Sequence, residues 1–343
     1  MVRTIFLRLS LSLLPVTLFG FGLALSTMLV LGNPNLVKGA VKDSGLYEVL
    51  VDDLFLQNQS VLGTAIPTGD VGIHDAVESA FSPQLLQATG DNIIDGTYAW
   101  LKGQTEKPEF NVDLTGAKMQ AAENVAAYVA GKSAALPVCS AAQTRQIYAT
   151  GLNVYALTCR PANLTVQNIH DMVRGSLLTS NDFFDNASMT ASTLKDQNGQ
   201  PLYERLSFIP TLYQWTVISV YVLGGVALLA SAGVVLLSRP KRAGVKRLGT
   251  TMLLSGIASA VLALVIGFAS SYVSEAIAKM SGSTEALQVK ITGILTLLLA
   301  DIRHWWSVIA VTQIVIAVGL LLWWKFTKKP PIATEPPKIP PKL

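Results

Sequence analysis

Four uninterrupted apolar runs constrain this chain more than any other feature of it. A hydrocarbon layer about 30 Å thick is crossed by roughly 20 apolar residues in α-helical form. Leu9–Leu31, Leu212–Leu237, Met252–Tyr272 and Trp306–Trp324 meet that length, and none contains Asp, Glu, Lys or Arg. Pro15 falls inside the first run and is tolerated there, because neighbouring helices can satisfy the freed carbonyl. The pairs Trp305-Trp306 and Trp323-Trp324 bound the fourth run, as expected of indoles at the headgroup level. Only 14% of the residues are charged, against roughly 25% in soluble domains. The first run also follows a short basic start, as a signal peptide does. Its 23 apolar-run residues exceed the usual h-region of roughly 7–15, and no A-x-A site follows, so an uncleaved anchor is expected.

Basic residues orient the spans. Arg3 and Arg8 precede the first. Arg239, Lys241, Arg242, Lys246 and Arg247 fill the loop between the second and third, and Lys325, Lys328, Lys329, Lys338 and Lys342 follow the fourth. With four spans these clusters share one side, which the positive-inside rule makes cytoplasmic. Both termini are then cytoplasmic, and residues 33–210 lie outside. That segment is mildly acidic, with 11 Lys/Arg against 18 Asp/Glu. The pI near 9.0 thus reflects basic charge beside apolar spans, suited to anionic headgroups at the 239–247 loop. Aromatic–basic interleaving is absent, so nucleic acid is not an expected partner.

The expected fold class is mainly α: a four-helix transmembrane region plus an α-helical extracytoplasmic domain inserted between spans 1 and 2. Residues 1–32 form the N-terminal anchor and 33–210 the extracytoplasmic domain. Residues 211–325 hold three further spans, the basic cytoplasmic loop 239–247 and an outer helical connection at 273–304. Residues 326–343 form a Pro/Lys-rich cytoplasmic tail. In the extracytoplasmic domain, Leu46, Val49, Leu50, Leu54 and Leu56 have helical spacing. A second helical stretch covers about Ile73 to Leu101, with a restart at Ser82-Pro83, since Pro suits a first turn. Phe110–Leu114 alternates like a short extended piece. Thr115–Leu136 is Ala-rich with Met119, Val125 and Val129 at helical spacing, and Val166–Leu178 is a further helix.

The chain has two cysteines, Cys139 and Cys159, both in the outward segment. On an oxidising face they predict one disulfide, worth on the order of 3 kcal/mol for a loop of about 20 residues. Three N-x-S/T sequons, at Asn58, Asn163 and Asn186, are glycosylation acceptors only in a cell that glycosylates secreted proteins.

Four patches carry a likeness. They are Tyr98-Ala99-Trp100-Leu101-Lys102-Gly103, then Phe110–Leu114 with Lys118, then Leu136-Pro137-Val138-Cys139, and last Cys159-Arg160-Pro161. Over about 65 residues they resemble uncharacterised bacterial membrane proteins with an N-terminal anchor, a helical disulfide-bearing extracytoplasmic domain and later spans. The resemblance implies a bacterial origin and no activity.

Catalytic and cofactor motifs are missing. His74, His170 and His304 are far apart, and none belongs to an H-x-x-x-H or H-E-x-x-H pattern, so neither a metal nor a cofactor is expected. His74-Asp75 lacks a nucleophile motif, and Asp52-Asp53 suits a solvated helix face. No phosphate-binding glycine loop occurs. Spans without mid-membrane ionisable residues argue against a pump or secondary transporter.

Surfaces remain. Ser255, Ser259, Ala263, Gly267 and Ser271 place small residues at every fourth position of span three. Such a ridge lets a helix approach closely, within one bundle or between copies in a homo-oligomer. Gly22 and Ser26 are a weaker version in span one. Between spans three and four, Leu287, Ile291, Ile294, Leu298 and Ile302 form one stripe. It suits a helical hairpin rising from the membrane or a helix lying on its surface. The tail's three Pro-Pro pairs predict polyproline II, a form recognised by protein partners. The expected function is that of a non-enzymatic integral membrane envelope protein that interacts, senses or scaffolds through its extracytoplasmic domain. The rival is topological: one span, a large outer domain and three more spans resemble the mechanotransmitting FtsX and MacB subunits, which work with a separate ATPase.

Overall fold

The computed structural model describes residues 2–50, 70–179, 187–195, 198–278 and 285–327, with backbone alone at Val2, Thr4, 269–278 and 285–286. The helices in chain order are α1 (Val2–Leu31), α2 (Pro34–Asp43), α3 (Val71–Glu78), α4 (Pro83–Leu101), α5 (Thr115–Ala134), α6 (Ala141–Thr150), α7 (Val166–Thr179), α8 (Leu202–Arg205), α9 (Phe208–Leu237), α10 (Lys241–Ala278) and α11 (Glu285–Phe326). Two short strands, β1 (Asn111–Asp113) and β2 (Ser188–Thr190), pair antiparallel with Val112 opposite Met189. The fold is therefore mainly α. Among the described residues, four helices are long and apolar enough to cross a membrane, over Ile5–Leu31, Phe208–Leu237, Lys241–Phe268 and Leu287–Phe326, and a helical domain is inserted between the first two. The 273–304 connection consists of the ends of α10 and α11, with 279–284 outside the described residues.

By internal contacts the chain forms two compact units. One holds Met1–Ser26, Ile218–Val265 and Arg303–Leu343; the other holds Thr27–Val217 and Ile266–Ile302. In the second unit, several helix starts carry a local signal. Asn33 accepts from the Asn35 N–H at 3.1 Å, and Pro34 occupies the first turn of α2. Asp70 caps α3 through the Gly72 N–H at 3.1 Å, and Ser82 caps α4 through the Leu85 N–H at 3.3 Å. Side-chain caps of this kind satisfy otherwise orphaned N–H groups. The core lies between α5 and α7, with α3 closing it. Ala117, Ala121, Ala122, Val125, Ala126, Val129 and Ala130 of α5 meet Ile169, Val173 and Leu177 of α7 and Ile73 and Val77 of α3. Met119, expected inside by spacing, is 49% exposed. It sits two residues from both Ala117 and Ala121, about 200° round the helix from either.

In the first unit, Leu14 and Leu18 of α1, Ala227, Ala230 and Val234 of α9 and Leu248 of α10 form the apolar centre. Trp306 departs from its expected place in an interfacial belt. It is fully buried, edge-on to Phe19 at 5.4 Å, and its indole N–H donates to the Ser259 carbonyl at 2.5 Å. Gly22 faces it, and a Cβ there would make ordinary contact with the indole at 3.4 Å. The helix begins twenty-one residues before Trp306, so this indole marks the interior of a helix and not its end. At the other end, the Arg242 guanidinium donates to the carbonyls of Trp324, at 3.0 Å, and Thr327. Arg3 donates to the Leu237 carbonyl at 2.8 Å. Both cations thus meet part-buried carbonyls at helix C-termini, where positive charge is favourable.

Candidate functional site

The candidate site grows from the loop 102–110 that joins α4 to β1. Gly103, at φ +72°, turns the chain back after α4. The returning backbone crosses α4 at Gly96, where a Cβ would lie only 2.2 Å from the Glu109 carbonyl oxygen. This crossing seats Phe110 and Val112 against Ala191, with Ile93, Met189 and Tyr203 packed around them. Beside this small core opens a groove of about 430 Å³. Asn92, Glu109, Asn111, Thr190 and Ser192 supply polar walls, and Phe110 and Ala191 supply apolar ones. The Lys107 ammonium donates to the Ser192 hydroxyl at 3.5 Å. Amides, hydroxyls, one cation and one carboxylate beside an aromatic ring suit hydrogen bonding to a polar ligand. Among the described residues, the groove walls include no histidine or cysteine that would activate a nucleophile.

Two polar clusters stiffen the helices around the core. Asp70 accepts the Tyr128 hydroxyl at 2.7 Å and pairs with Lys132 at 2.5 Å. The Lys132 hydrogen bond, then the one from Tyr128, holds the Asp70 carboxyl below the ordinary range and raises the Lys132 ammonium. Across α5 and α7, His170 lies 3.1 Å from Glu123 and 3.2 Å from Asp171, and Glu123 also takes Arg174 at 2.8 Å. Tyr98 of α4 donates to the Leu31 carbonyl at 2.6 Å and meets Tyr213 edge-on at 6.4 Å. Burial, then the neighbouring Tyr213, pushes the Tyr98 hydroxyl up to about 12.

Cys139 and Cys159 are bonded, with Cα atoms 5.0 Å apart. The strand-like bridge beside them ties Cys139 N–H to the Arg160 carbonyl at 3.0 Å and Arg160 N–H to the Pro137 carbonyl at 2.8 Å. Of the small-residue ridge, Ser255, Ser259 and Ala263 are buried, Gly267 is half-buried, and the Ser271 side chain lies outside the described residues. The tightest approach is one position away from Ser255. A Cβ on Gly256 would lie 2.7 Å from Ile314 and 3.3 Å from the Ala310 carbonyl oxygen. One on Gly249 would lie 3.0 Å from Leu321 and 3.3 Å from the Ala317 carbonyl oxygen. The seven-residue spacing of those glycines was the signal in the sequence. Asn163 is exposed and accepts from the Tyr148 hydroxyl at 3.3 Å. Asn58, Asn186 and Asp52-Asp53 lie outside the described residues, as does the tail from 328 onward.

Glu78, one turn after His74, was overlooked in the sequence. His74 Nδ1 is 3.8 Å from Asp75 and 4.0 Å from Glu78, and the three ligand atoms lie within 4.8 Å of one another. Both carboxylates are exposed, an arrangement common on solvated helix faces. Compared with known proteins, the chain matches no family profile, no curated protein and no solved structure.

Proposed function

We propose that this integral membrane protein is a non-enzymatic component of a cell envelope whose inserted domain recognises a polar partner through the groove beside β1 and β2. The groove is the observation that carries this reading. It is open, lined by hydrogen-bonding groups of both polarities and floored by one aromatic ring, a pattern suited to binding without chemical attack. The basic clusters at Arg3 and Arg8, at 239–247 and after Trp324 support a reading in which the inserted domain lies outside and both termini are cytoplasmic in a plasma-membrane protein. The basic segment 239–247, which from Lys241 onward forms the first turns of α10 and not the expected loop, then meets anionic headgroups, and the Pro-rich sequence after residue 327 suits recognition by a cytoplasmic protein.

One observation favours a second reading, as a mechanotransmitting subunit that works with an ATPase. α10 and α11 run 38 and 42 residues without a break, which is about 57 and 63 Å at 1.5 Å per residue. Rods that long carry displacement past a bilayer core about 30 Å thick.

A photo-crosslinking residue at Asn111, on the groove wall, is expected to trap an envelope component in intact cells, and one at exposed Gln146 is not. No adduct at Asn111, or equal adducts at both, argues against recognition through the groove. Co-purification of an ATPase favours the second reading. Orientation is tested with an impermeant maleimide. Gly116→Cys, where an added Cβ meets nothing within 4 Å, should label in intact cells and Lys241→Cys should not.

A further inference from the structure

The loop that gives Lys107–Asn111 to the groove also gives Gly103, Thr105 and Glu106 to a second hollow, of about 290 Å³. Trp100 at the end of α4, Tyr203 and Glu204 in α8 and Pro210 in the first turns of α9 complete its walls. Two aromatic residues, Trp100 (7% exposed) and Tyr203, and two glutamates therefore border one space, and among the described residues no basic one is in its walls. Lys107, next in sequence to Glu106, is engaged with Ser192. Glu204 accepts the Tyr203 hydroxyl at 3.4 Å, and neither Glu106 nor Glu204 forms an ion pair among the described residues.

The face of an aromatic ring attracts a cation through its quadrupole, most strongly for indole. Carboxylates at the same hollow add opposite charge. A bare divalent ion needs several oxygens converging at roughly 2.0–2.6 Å. A space of about 290 Å³ instead suits a group of several heavy atoms. That combination selects an alkylammonium.

The location decides which one. Ser207 and Pro210 border the hollow and stand at the start of the spanning helix Phe208–Leu237. Beside and just beyond them, Phe208, Leu212 and Trp215 are each at least 60% exposed. An exposed indole favours the headgroup level, so Trp215 marks that level about one and a half turns from Pro210, with Phe208 and Leu212 alongside. The hollow thus opens where lipid headgroups lie. We infer that it binds the ammonium group of a zwitterionic membrane lipid, of the ethanolamine or choline type. Nothing in this depends on which side of the membrane the inserted domain occupies, or on what the 430 Å³ groove binds.

The test uses the full chain, delipidated in detergent and titrated with short-chain phosphatidylethanolamine, phosphatidylcholine or phosphatidylglycerol. Binding is read by native mass spectrometry and by the shift in melting temperature. An ammonium lipid should bind roughly tenfold more tightly than the glycerol lipid, as a cation–aromatic contact with charge support implies. In Glu106→Gln/Glu204→Gln that preference should vanish. Both glutamates are exposed, so the melting temperature without lipid should not move. Trp100→Phe should weaken the ammonium lipid severalfold, since benzene is the poorer partner. Equal affinity for all three lipids, or a double variant that keeps the preference, overturns the site. Soluble phosphoethanolamine binding as tightly as the lipid overturns the membrane source of the ligand.

Discussion

Small residues do different work in the two units. In the inserted domain, the alanines of α5 receive Ile169, Val173 and Leu177 from α7. Water surrounds that domain, so covering apolar area is itself stabilising, at about 25 cal/mol per Å². In the spanning bundle, lipid is as apolar as the interior, and helices associate through close packing and hydrogen bonds. There Gly249 and Gly256 of α10 bring backbone against backbone, with Ala310 and Ala317 opposite. An alanine in α5 is a socket for a large partner, whereas a glycine in α10 is a point of contact. The first tolerates exchange within a conserved volume, and the second tolerates little.

The sharpest way to break this contrast is Trp306→Ala. The indole fills the bundle interior and makes its one N–H bond there, so its loss should cost about 3–5 kcal/mol. Detergent-titrated unfolding should move while protease resistance of the inserted domain does not; a parallel fall would show that the units melt together. Next is Cys139→Ser, expected to cost about 3 kcal/mol, this time in the inserted domain. Limited proteolysis with and without reductant checks it, and equal resistance in both would refute it. Gly256→Leu should cost about 1–3 kcal/mol by overpacking. Val265→Leu, on a face 53% exposed, should be nearly neutral because lipid is indifferent between the two. If the two behave alike, the α10–α11 seam is not a close contact.

The smallest effect concerns Asp70→Ala, at about 1 kcal/mol for a lost helix cap. Its ion pair with Lys132 adds little, because that lysine is more than half exposed. Since Lys132 and then Tyr128 depress the Asp70 carboxyl, its contribution is present above the unfolded value of about 3.9. It disappears as pH falls through the lower folded value. Melting curves of wild type and variant should therefore separate at pH 7 and converge in strong acid.

The spans were legible because twenty apolar residues leave the backbone few choices. The restart at Ser82-Pro83 was legible for a local reason, as a cap followed by a first-turn proline. Asn33-Pro34 carried the same signal directly after span one and was passed over. Trp306 was misplaced because a tryptophan pair beside an apolar run has the composition of an interface, and only the helix continuing back to Glu285 makes it interior. The groove was not legible at all. Asn92, Lys107–Asn111 and Thr190–Ser192 meet because Asn111 pairs with Thr190, 79 positions away in the sequence. Three-residue strands are too short for periodicity to announce such a pairing.

The covalent ring closed by Cys139 and Cys159 encloses α6, a helix of ten residues with none buried. A free helix that short is marginal in water. This one is held by its capping box, Ser140 with Gln143, and by the ring. Its sequence therefore answers to the fixed ends of a loop and not to the shape of a core. Drift within 141–150 disturbs no buried side chain of that helix. Leu152, Val154, Tyr155 and Leu157 of the same ring do pack against the core, so it is the α6 half of the ring where descendants of this chain can acquire a new recognition surface without first relearning how to fold.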